Sequence, residues 1–405
     1  MLIKIAWRNV WRNKTRSLII ILAVALGLWG GIFSDAFMNG MVEQQVYSTI
    51  HTETGDIQLN KTGFLLNHDM QMRIQNADSV IRTIQQNPEV TAVAPVTQMT
   101  AMISAASGSA GILMNGIDPE AQAKVSDISK LLVQGSYFKD KGADQLVISQ
   151  KLADKLHVKL HSRIVLTLQT FSGDITYGAF RVTGIYRTTD NDYDMQMVFV
   201  RNTDLKSLIS FPGSDVSLLT VMLKNDQDAD SVALQLSQKF PEIQVQSWVQ
   251  LSPILQLATG KTNVIIFIFV GIILIALAFG IINTMLMAVL DRTREIGMLL
   301  SVGMKPSRVF GMILLETVFL SVTGAFIGVA ISISSIAWFG KTGINLSMIA
   351  EGFNALGYSS IVYPKLGAGF YIILSLMVIV IALAAGWIPA RRALRLRPAE
   401  AIRGE

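Results

Sequence analysis

The sequence contains no cysteine, which excludes disulfides, thiolate metal sites, a cysteine nucleophile and an acylated N-terminal cysteine. Histidine is scarce too: of the four, His51 and His68 stand alone, and His157 and His161 sit at i and i+4, as on one helix face, with no third ligand nearby. No nucleophile elbow or paired-carboxylate arrangement stands out. Gly260-Lys261-Thr262 looks like the end of a nucleotide-binding loop, but the position that needs the first glycine is Leu255 and no strand precedes it. The chain is therefore expected to bind no cofactor and no metal and to hydrolyse no ATP. Charge is also thin, at 16%, against 51% hydrophobic residues in 405. That is more apolar than a soluble globule requires, so part of the chain belongs in lipid.

Four windows are long and apolar enough to cross a hydrocarbon layer of roughly 30 Å at ~1.5 Å per residue. They are Ser17 to Met38, Val264 to Leu290, Val309 to Phe339, broken only by Glu316, and Ala368 to Ile388. The first has no small-residue cleavage site after it and is read as an uncleaved anchor. Cationic flanks stay on the cytoplasmic side. Lys4, Arg8, Arg12, Lys14 and Arg16 precede the first span; Arg292, Arg294, Lys305 and Arg308 separate the second and third; Arg391, Arg392, Arg395, Arg397 and Arg403 follow the fourth. These fourteen cations face only Asp291, Glu295, Glu400 and Glu405, a local excess of +10 within a total of +5, so the rest of the chain is net −5. The basic character is thus a topology signal and not a nucleic-acid footprint.

The resulting fold class is an α-helical membrane protein with four transmembrane helices, one plus three, and a large α+β extracytoplasmic domain inserted between the first and second. The expected segments are an amphipathic cytoplasmic stretch 1–16, span 17–38, outside domain 39–263, span 264–290, cytoplasmic helix 291–308, span 309–339, outer loop 340–367, span 368–388 and cytoplasmic tail 389–405. Within the outside domain, strand-like runs at 163–169, 180–186 and 195–200 alternate with helical ones. A short self-similarity is more informative. Ala77-Asp78-Ser79-Val80 with Pro88-Glu89-Val90 is repeated as Ala229-Asp230-Ser231-Val232 with Pro241-Glu242-Ile243. Each copy reads as a helix, with Val80, Ile81 and Ile84 or Val232, Leu234, Leu236 and Phe240 on its apolar face, ended by proline before a strand. The two units, near 75–105 and 220–248, are expected to pair beside the membrane, with an inserted distal subdomain near 105–220.

Two helical extensions flank this domain as a candidate stalk or as simple amphipathic connectors: Met38, Met41 and Val42 at and past the end of the first span, and an amphipathic stretch from Trp248 to Lys261, with Trp248, Leu251 and Leu255 on one face, before the second. The segment from Asp291 to Met304 mixes charge with an Ile296, Leu299, Leu300 stripe and ends at Gly303 before Pro306. It reads as a short amphipathic helix suited to lipid headgroups or to a groove on a soluble partner. Gly27 with Gly31 and Gly324 with Gly328 have the spacing that lets helices approach closely. Glu316 is an ionisable group inside a span, a cost that a partner or a snorkelling position would relieve.

Three separated motifs resemble one family. Ala6-Trp7-Arg8-Asn9 to Asn13-Lys14-Thr15-Arg16-Ser17, the run from Arg292 to Met304, and Pro389-Ala390-Arg391-Arg392-Ala393 to Pro398-Ala399-Glu400-Ala401-Ile402-Arg403 appear in order, each at a span boundary. They resemble the permeases of the MacB, FtsX and LolC/LolE group of ABC transporters over the whole chain. The resemblance implies that Arg292, Arg294, Glu295, Ile296 and Leu299 contact a separate cytoplasmic ATPase, which would hold ATP and Mg, and that Glu316 holds the bundle together. It also implies a second permease protomer, identical or homologous, and an inner-membrane location. The segment from His51 to Phe64, with Gly55-Asp56-Ile57-Gln58-Leu59 and Gly63-Phe64, resembles the lipoprotein-releasing LolC/LolE branch. The expected function is release of lipoproteins, with acyl chains between the first and second spans. The alternatives are MacB-like export with a periplasmic adaptor, FtsX-like control of cell-wall hydrolases, and a membrane-anchored sensor.

Overall fold

The structure is a computed structural model. It describes residues 2–138, 142, 144–346, 348, 352 and 358–394. The chain divides into two units: residues 1–41, 259–345 and 361–405 form one, and residues 42–258 with 346–360 the other. The tail motif from residue 395 onward lies outside the described residues.

The first unit is helical. It contains α1 (Leu2–Arg12) and most of α2 (Lys14–Thr49), a helix that does not stop at Met38 but runs on to enter the second unit. Among the described residues, four helices are long and apolar enough to cross a membrane: α2 and three that follow the second unit. Their inward stripes meet in one core: Ile20, Val24, Leu28 and Ile32 of α2 pack with Val270, Leu274, Leu277 and Ile281, with Ile313 and Leu320, and with Leu374, Val378 and Ala382. Large apolar side chains also cover the outside, among them Phe267, Ile272, Phe279, Phe326, Trp338 and Leu376. A helix that is apolar all round has no water-facing side, which is the property a lipid environment rewards.

The second unit begins at Val42, within the last turns of α2. A π-helical turn, Ile50–Thr54, closes at Gly55, whose φ of +65° and crowding by Thr220 Cγ2 admit no side chain. Asp56 then fixes the sheet: its carboxylate accepts from the Leu223 N–H at 2.7 Å and its carbonyl from the Trp248 N–H at 2.9 Å. The strands are β1 (Ile57–Asn60), β2 (Val90–Ala105), β3 (Gly108–Ile117), β4 (Leu132–Gly135), β5 (Gln145–Ser149), β6 (Arg163–Gln169), β7 (Ile175–Tyr186), β8 (Met197–Arg201), β9 (Leu218–Leu223) and β10 (Gln244–Ser247). They form one sheet in the order β10-β1-β9-β2-β3-β8-β5-β7-β4, with β6 joining β2 to β7. The helices are α3 (Phe64–Asn67), α4 (Ala77–Gln85), α5 (Pro119–Val125), α6 (Gln150–Lys155), α7 (Asn191–Gln196), α8 (Asn202–Ile209), α9 (Ala229–Lys239) and α10 (Trp248–Leu251).

The two sequence repeats are α4 leading into β2 and α9 leading into β10. β1-α4-β2 and β9-α9-β10 interlock, because β9 lies between β1 and β2 while β1 lies between β9 and β10, all pairs antiparallel. That is the split β-α-β arrangement. Both helices bury their small and branched residues in one core: Ala77, Val80 and Ile84 meet Ala229, Val232, Ala233 and Leu236. Leu234, expected on the inner face, is exposed. At ~100° per residue it lies opposite the arc of Val232 and Leu236.

The strand β2 has sixteen residues. Its first half serves the repeat core through Val93, and its second half serves another core through Met99 and Ile103, shared with Ile148, Leu166, Phe180 and Val200. One continuous strand therefore joins what the sequence presented as two subdomains meeting near 105. His157 and His161, whose spacing would allow a shared helix face, do not share one. Helix α6 ends at Lys155, and both histidines occupy left-handed turns, with φ of +51° and +65°.

The chain then returns to the helical unit through α11 (Pro253–Asp291), α12 (Thr293–Ser301), α13 (Pro306–Thr342) and, after the small hairpin β11 (Ile344–Asn345) and β12 (Ile361–Val362), α14 (Ala368–Ala393). The amphipathic stretch from Trp248 through Lys261 is not one continuous helix. It breaks at Ser252, with φ −124° and ψ 73°, because Pro253 has no N–H and pushes its predecessor out of helical geometry. Gly260, Lys261 and Thr262 lie inside α11, where helical backbone leaves no loop to cradle a phosphate.

Candidate functional site

The candidate coupling segment is a short helix between two breaks. Arg292, at φ −109° and ψ 17°, ends α11; Gly303, at φ +94°, ends α12; Pro306 opens α13 with a missing N–H where no partner exists anyway. Helix α12 is thereby set off from both its neighbours.

Among the described residues, two ion pairs and a hydrogen bond hold this region to the start of the chain, and a third ion pair holds it to α13. Arg292 donates to Glu316 at 3.2 Å and to the Asn9 carbonyl at 3.2 Å. Glu295 receives the Arg12 guanidinium through both its oxygens, and Asp291 pairs with Arg16. They are not equivalent. Arg292 and Glu316 are 16% and 9% exposed, whereas Arg12 and Glu295 are about half exposed. Burial removes water from the first pair, so loss of either partner strands a charge in a low-dielectric setting. The second pair stays solvated and contributes little. A cavity of about 380 Å³ lies among Asn9, Arg12, Arg292, Glu295, Leu299 and Glu316.

The expected partner-contacting residues consequently split. Arg294 is exposed, Glu295 is exposed but paired with Arg12, and Leu299 is half-buried at the cavity wall. Ile296 is buried in the helical core, packed among residues such as Val289 and Val309. Arg292 is likewise turned inward onto Glu316. The apolar stripe of this amphipathic helix is used by the chain itself. What points away is a second stripe that adds Met298 and Val302, 57% and 85% exposed, to the expected Arg294, at i, i+4 and i+8, with Val302 just past the last residue of α12. The same spacing in the sequence carries the signal. A helix with two apolar stripes has a face to spare.

Of the glycine pairs, Gly324 and Gly328 form a close crossing. A Cβ on Gly324 would lie 2.7 Å from Val24 Cβ, and one on Gly328 would lie 2.7 Å from the Ala25 carbonyl, so α13 approaches α2 backbone to backbone. Gly27 and Gly31 do not act as a pair: Gly27 meets Leu277 of α11, while Gly31 makes only ordinary contact with Leu374 of α14. Gly386 of α14, against Thr317, is a further close approach. Of the stalk candidates, Met38 is partly exposed, and Met41, Val42 and Leu255 are buried. Leu251 is half-buried, and Trp248 packs on the repeat core and donates through its indole N–H to the Asp226 carbonyl at 3.3 Å. The end of α2 is bonded into the sheet unit. Tyr47 donates to Asp127 at 3.2 Å, Ser48 meets the Thr189 hydroxyl at 2.9 Å, and the Thr52 carbonyl accepts from Tyr193 at 2.9 Å. A second cavity, of about 360 Å³, lies between α2 and α11 and is lined by Phe33, Phe37, Met38, Phe269 and Val270, with Asp35 at its wall.

The described residues thus give a sheet domain inserted after one long apolar helix and followed by three more with a short amphipathic helix among them, the architecture to set beside known families. Residues 17–239 match the MacB-like periplasmic core domain, and residues 267–398 match the FtsX-like permease C-terminal domain. The chain belongs to this family of ABC-transporter permeases. It is similar to the lipoprotein-releasing system transmembrane protein LolE of Haemophilus influenzae, 22% identical over 345 residues that cover 81% of each chain. It is similar to the lipoprotein-releasing system transmembrane protein LolC of Xylella fastidiosa, 25% identical over 333 residues and 79% of each chain. A shorter match joins it to the macrolide export ATP-binding/permease protein MacB of Bordetella avium, 29% identical over 147 residues, which are 36% of this chain and 20% of that one.

Proposed function

We propose that this chain is the permease subunit through which a separate cytoplasmic ATPase drives a rearrangement outside the membrane, releasing lipoproteins from the inner membrane. The observation that carries the coupling role is the division of labour on α12. Its inner stripe and its ion pairs are consumed within the chain, and Arg294, Met298 and Val302 remain as a compact basic and apolar face for a partner. The cationic flanks support a topology with α12 and α1 in the cytoplasm and residues 39–263 outside. Helix α2, uninterrupted from Lys14 to Thr49 and bonded to the sheet unit at its far end, is the element suited to pass movement outward.

The lipoprotein reading is supported by the length of the match to the LolE and LolC relatives and by the aromatic cavity between α2 and α11. Phe33, Phe37 and Phe269 would receive acyl chains there, completed by a second permease protomer. Export in the manner of the MacB relative, with a periplasmic adaptor, is the second reading; the match of residues 17–239 favours it. The test of coupling is co-purification of ATP-hydrolysing activity with the tagged full-length chain. Arg294→Glu combined with Met298→Asp is expected to lower it at least tenfold while the chain stays folded. Undiminished activity in the purified complex would exclude this face as the docking site.

A further inference from the structure

Helix α1 keeps a broad exposed surface beyond its contacts with the bundle and the coupling segment. At ~100° per residue its eleven residues sort into three arcs. Ala6 and Val10 are buried against the bundle, with Ile5 and Asn9 half-buried beside them. Ile3, Trp7 and Trp11 form an adjoining exposed arc, 63%, 46% and 47% accessible, with Trp7 set edge-on against Phe319 of α13. Lys4, Arg8 and Arg12 complete the circle, and Lys14 follows at the start of α2. Charge use differs within this set. Arg12 and Arg16 are matched to Glu295 and Asp291, whereas among the described residues Lys4, Arg8 and Lys14 are exposed and matched to no carboxylate. Trp7, Trp11, Arg8 and Arg12 border an open concavity of about 630 Å³.

From this juxtaposition we propose that the outer arc of α1 is a binding surface for anionic phospholipid headgroups, which Trp7 and Trp11 anchor at the membrane boundary while Lys4, Arg8 and Lys14 select for negative charge. The inference rests on the reading that α2 and its partners cross a bilayer. Tryptophan prefers the headgroup level, where an apolar body and a polar N–H are both accommodated. Unmatched cations beside it gain from an anionic surface and gain nothing from a zwitterionic one. A protein partner would be expected to bring carboxylates to the cations and a matched apolar surface to the edge-to-face tryptophan pair. A bilayer brings phosphates and an apolar layer together at the depth that the two arcs require. Because Asn9 and Arg12 are bonded to Arg292 and Glu295, the lipid would sit one ion pair from the coupling helix.

The test uses the full-length chain in phosphatidylcholine nanodiscs doped with spin-labelled phosphatidylglycerol or, in parallel, spin-labelled phosphatidylcholine. The wild type is expected to immobilise the anionic lipid preferentially, with a preference that fades at high salt. The combined variant Lys4→Gln, Arg8→Gln and Lys14→Gln is expected to lower it roughly tenfold or more. Arg391→Gln with Arg392→Gln serves as a control of equal exposure, and inorganic phosphate is added as a competitor. No preference in the wild type, an unchanged preference in the triple variant, an equal loss in the control, or displacement by free phosphate each overturns the proposal. So does a triple variant that keeps its lipid preference and loses a bound protein instead. Failure of the underlying topology is read separately: the cysteine-free chain accepts single cysteines at Gln134 and Arg294, and an impermeant maleimide added to intact cells should label only the first. Nanodiscs expose both faces, so the lipid result stands or falls independently of that labelling.

Discussion

The helical unit and the sheet unit keep their polar and apolar residues in opposite places. In the sheet unit the large side chains are inside: Phe64, Phe180, Tyr186 and Phe199 are almost wholly buried, and the charged residues lie mostly on the surface. In the helical unit Phe326, Phe279 and Trp338 point outward, while Glu316 is buried with Arg292 and the tightest crossings are made by glycine. The difference teaches that hydrophobicity marks a core only where water is the alternative. Where lipid surrounds the helices, burial is decided by small residues that let backbones meet and by polar groups that must find one another.

The sharpest way to break this comparison is the buried ion pair. Glu316→Ala strands the Arg292 charge and is expected to destabilise the helical unit by about 3 to 5 kcal/mol, whereas Arg12→Ala, at an exposed pair, costs about 1 kcal/mol or less. Thermal unfolding of the detergent-purified chain separates them; equal shifts would mean that burial does not distinguish the pairs.

Phenylalanine offers a second contrast. Phe64→Ala, at a site with no exposure, is expected to cost about 3 to 5 kcal/mol, while Phe326→Ala, 78% exposed on α13, should stay within about 0.5 kcal/mol. Comparable losses, followed by denaturant titration, would show that the outward ring is packed against something after all.

A third contrast is pH, and its effect is smaller. Burial pushes the Asp56 carboxyl up to about 6, reinforced by nearby Asp226 and opposed by the Leu223 N–H. Burial also raises Asp194 to about 6, against hydrogen bonds from Thr188. An acid that holds its proton more tightly when folded makes stability fall as pH rises, here from about 4 to about 6, with a plateau above. Asp56→Asn should therefore gain about 2 to 3 kcal/mol on the wild type at pH 7.5 or so and almost nothing near pH 4. Near-ultraviolet circular dichroism of the sheet unit across that range checks it, and a parallel offset at all pH values would remove Asp56 as the cause.

Much of the fold is legible in the amino-acid order alone. The apolar windows, the Pro306 and Gly303 boundaries, and the repeat of Ala-Asp-Ser-Val are local signals, and each sits where a helix or a turn must form for reasons within a few residues. Less legible is which way a side chain faces once two elements meet. Ile296 and Leu299 look like the contact stripe of α12, but Ile296 is taken by the bundle and the free face falls to Arg294, Met298 and Val302. Gly324 and Gly328 work as a pair, and Gly27 and Gly31, with the same spacing, do not. The break at Ser252 follows from Pro253, a local signal that the apolar periodicity around it conceals.

Chain composition by itself determined that four helices would be apolar on every side, that their cationic ends would lie together, and that a mixed domain would follow the first. Those outcomes depend on transfer free energies and backbone preferences that each segment carries wherever it goes. Tertiary structure alone decided that Arg292 would answer Glu316, that β2 would serve two cores, and that one stripe of α12 would be left over. Each of these depends on what residues distant in sequence leave unsatisfied, and no segment carries that information alone.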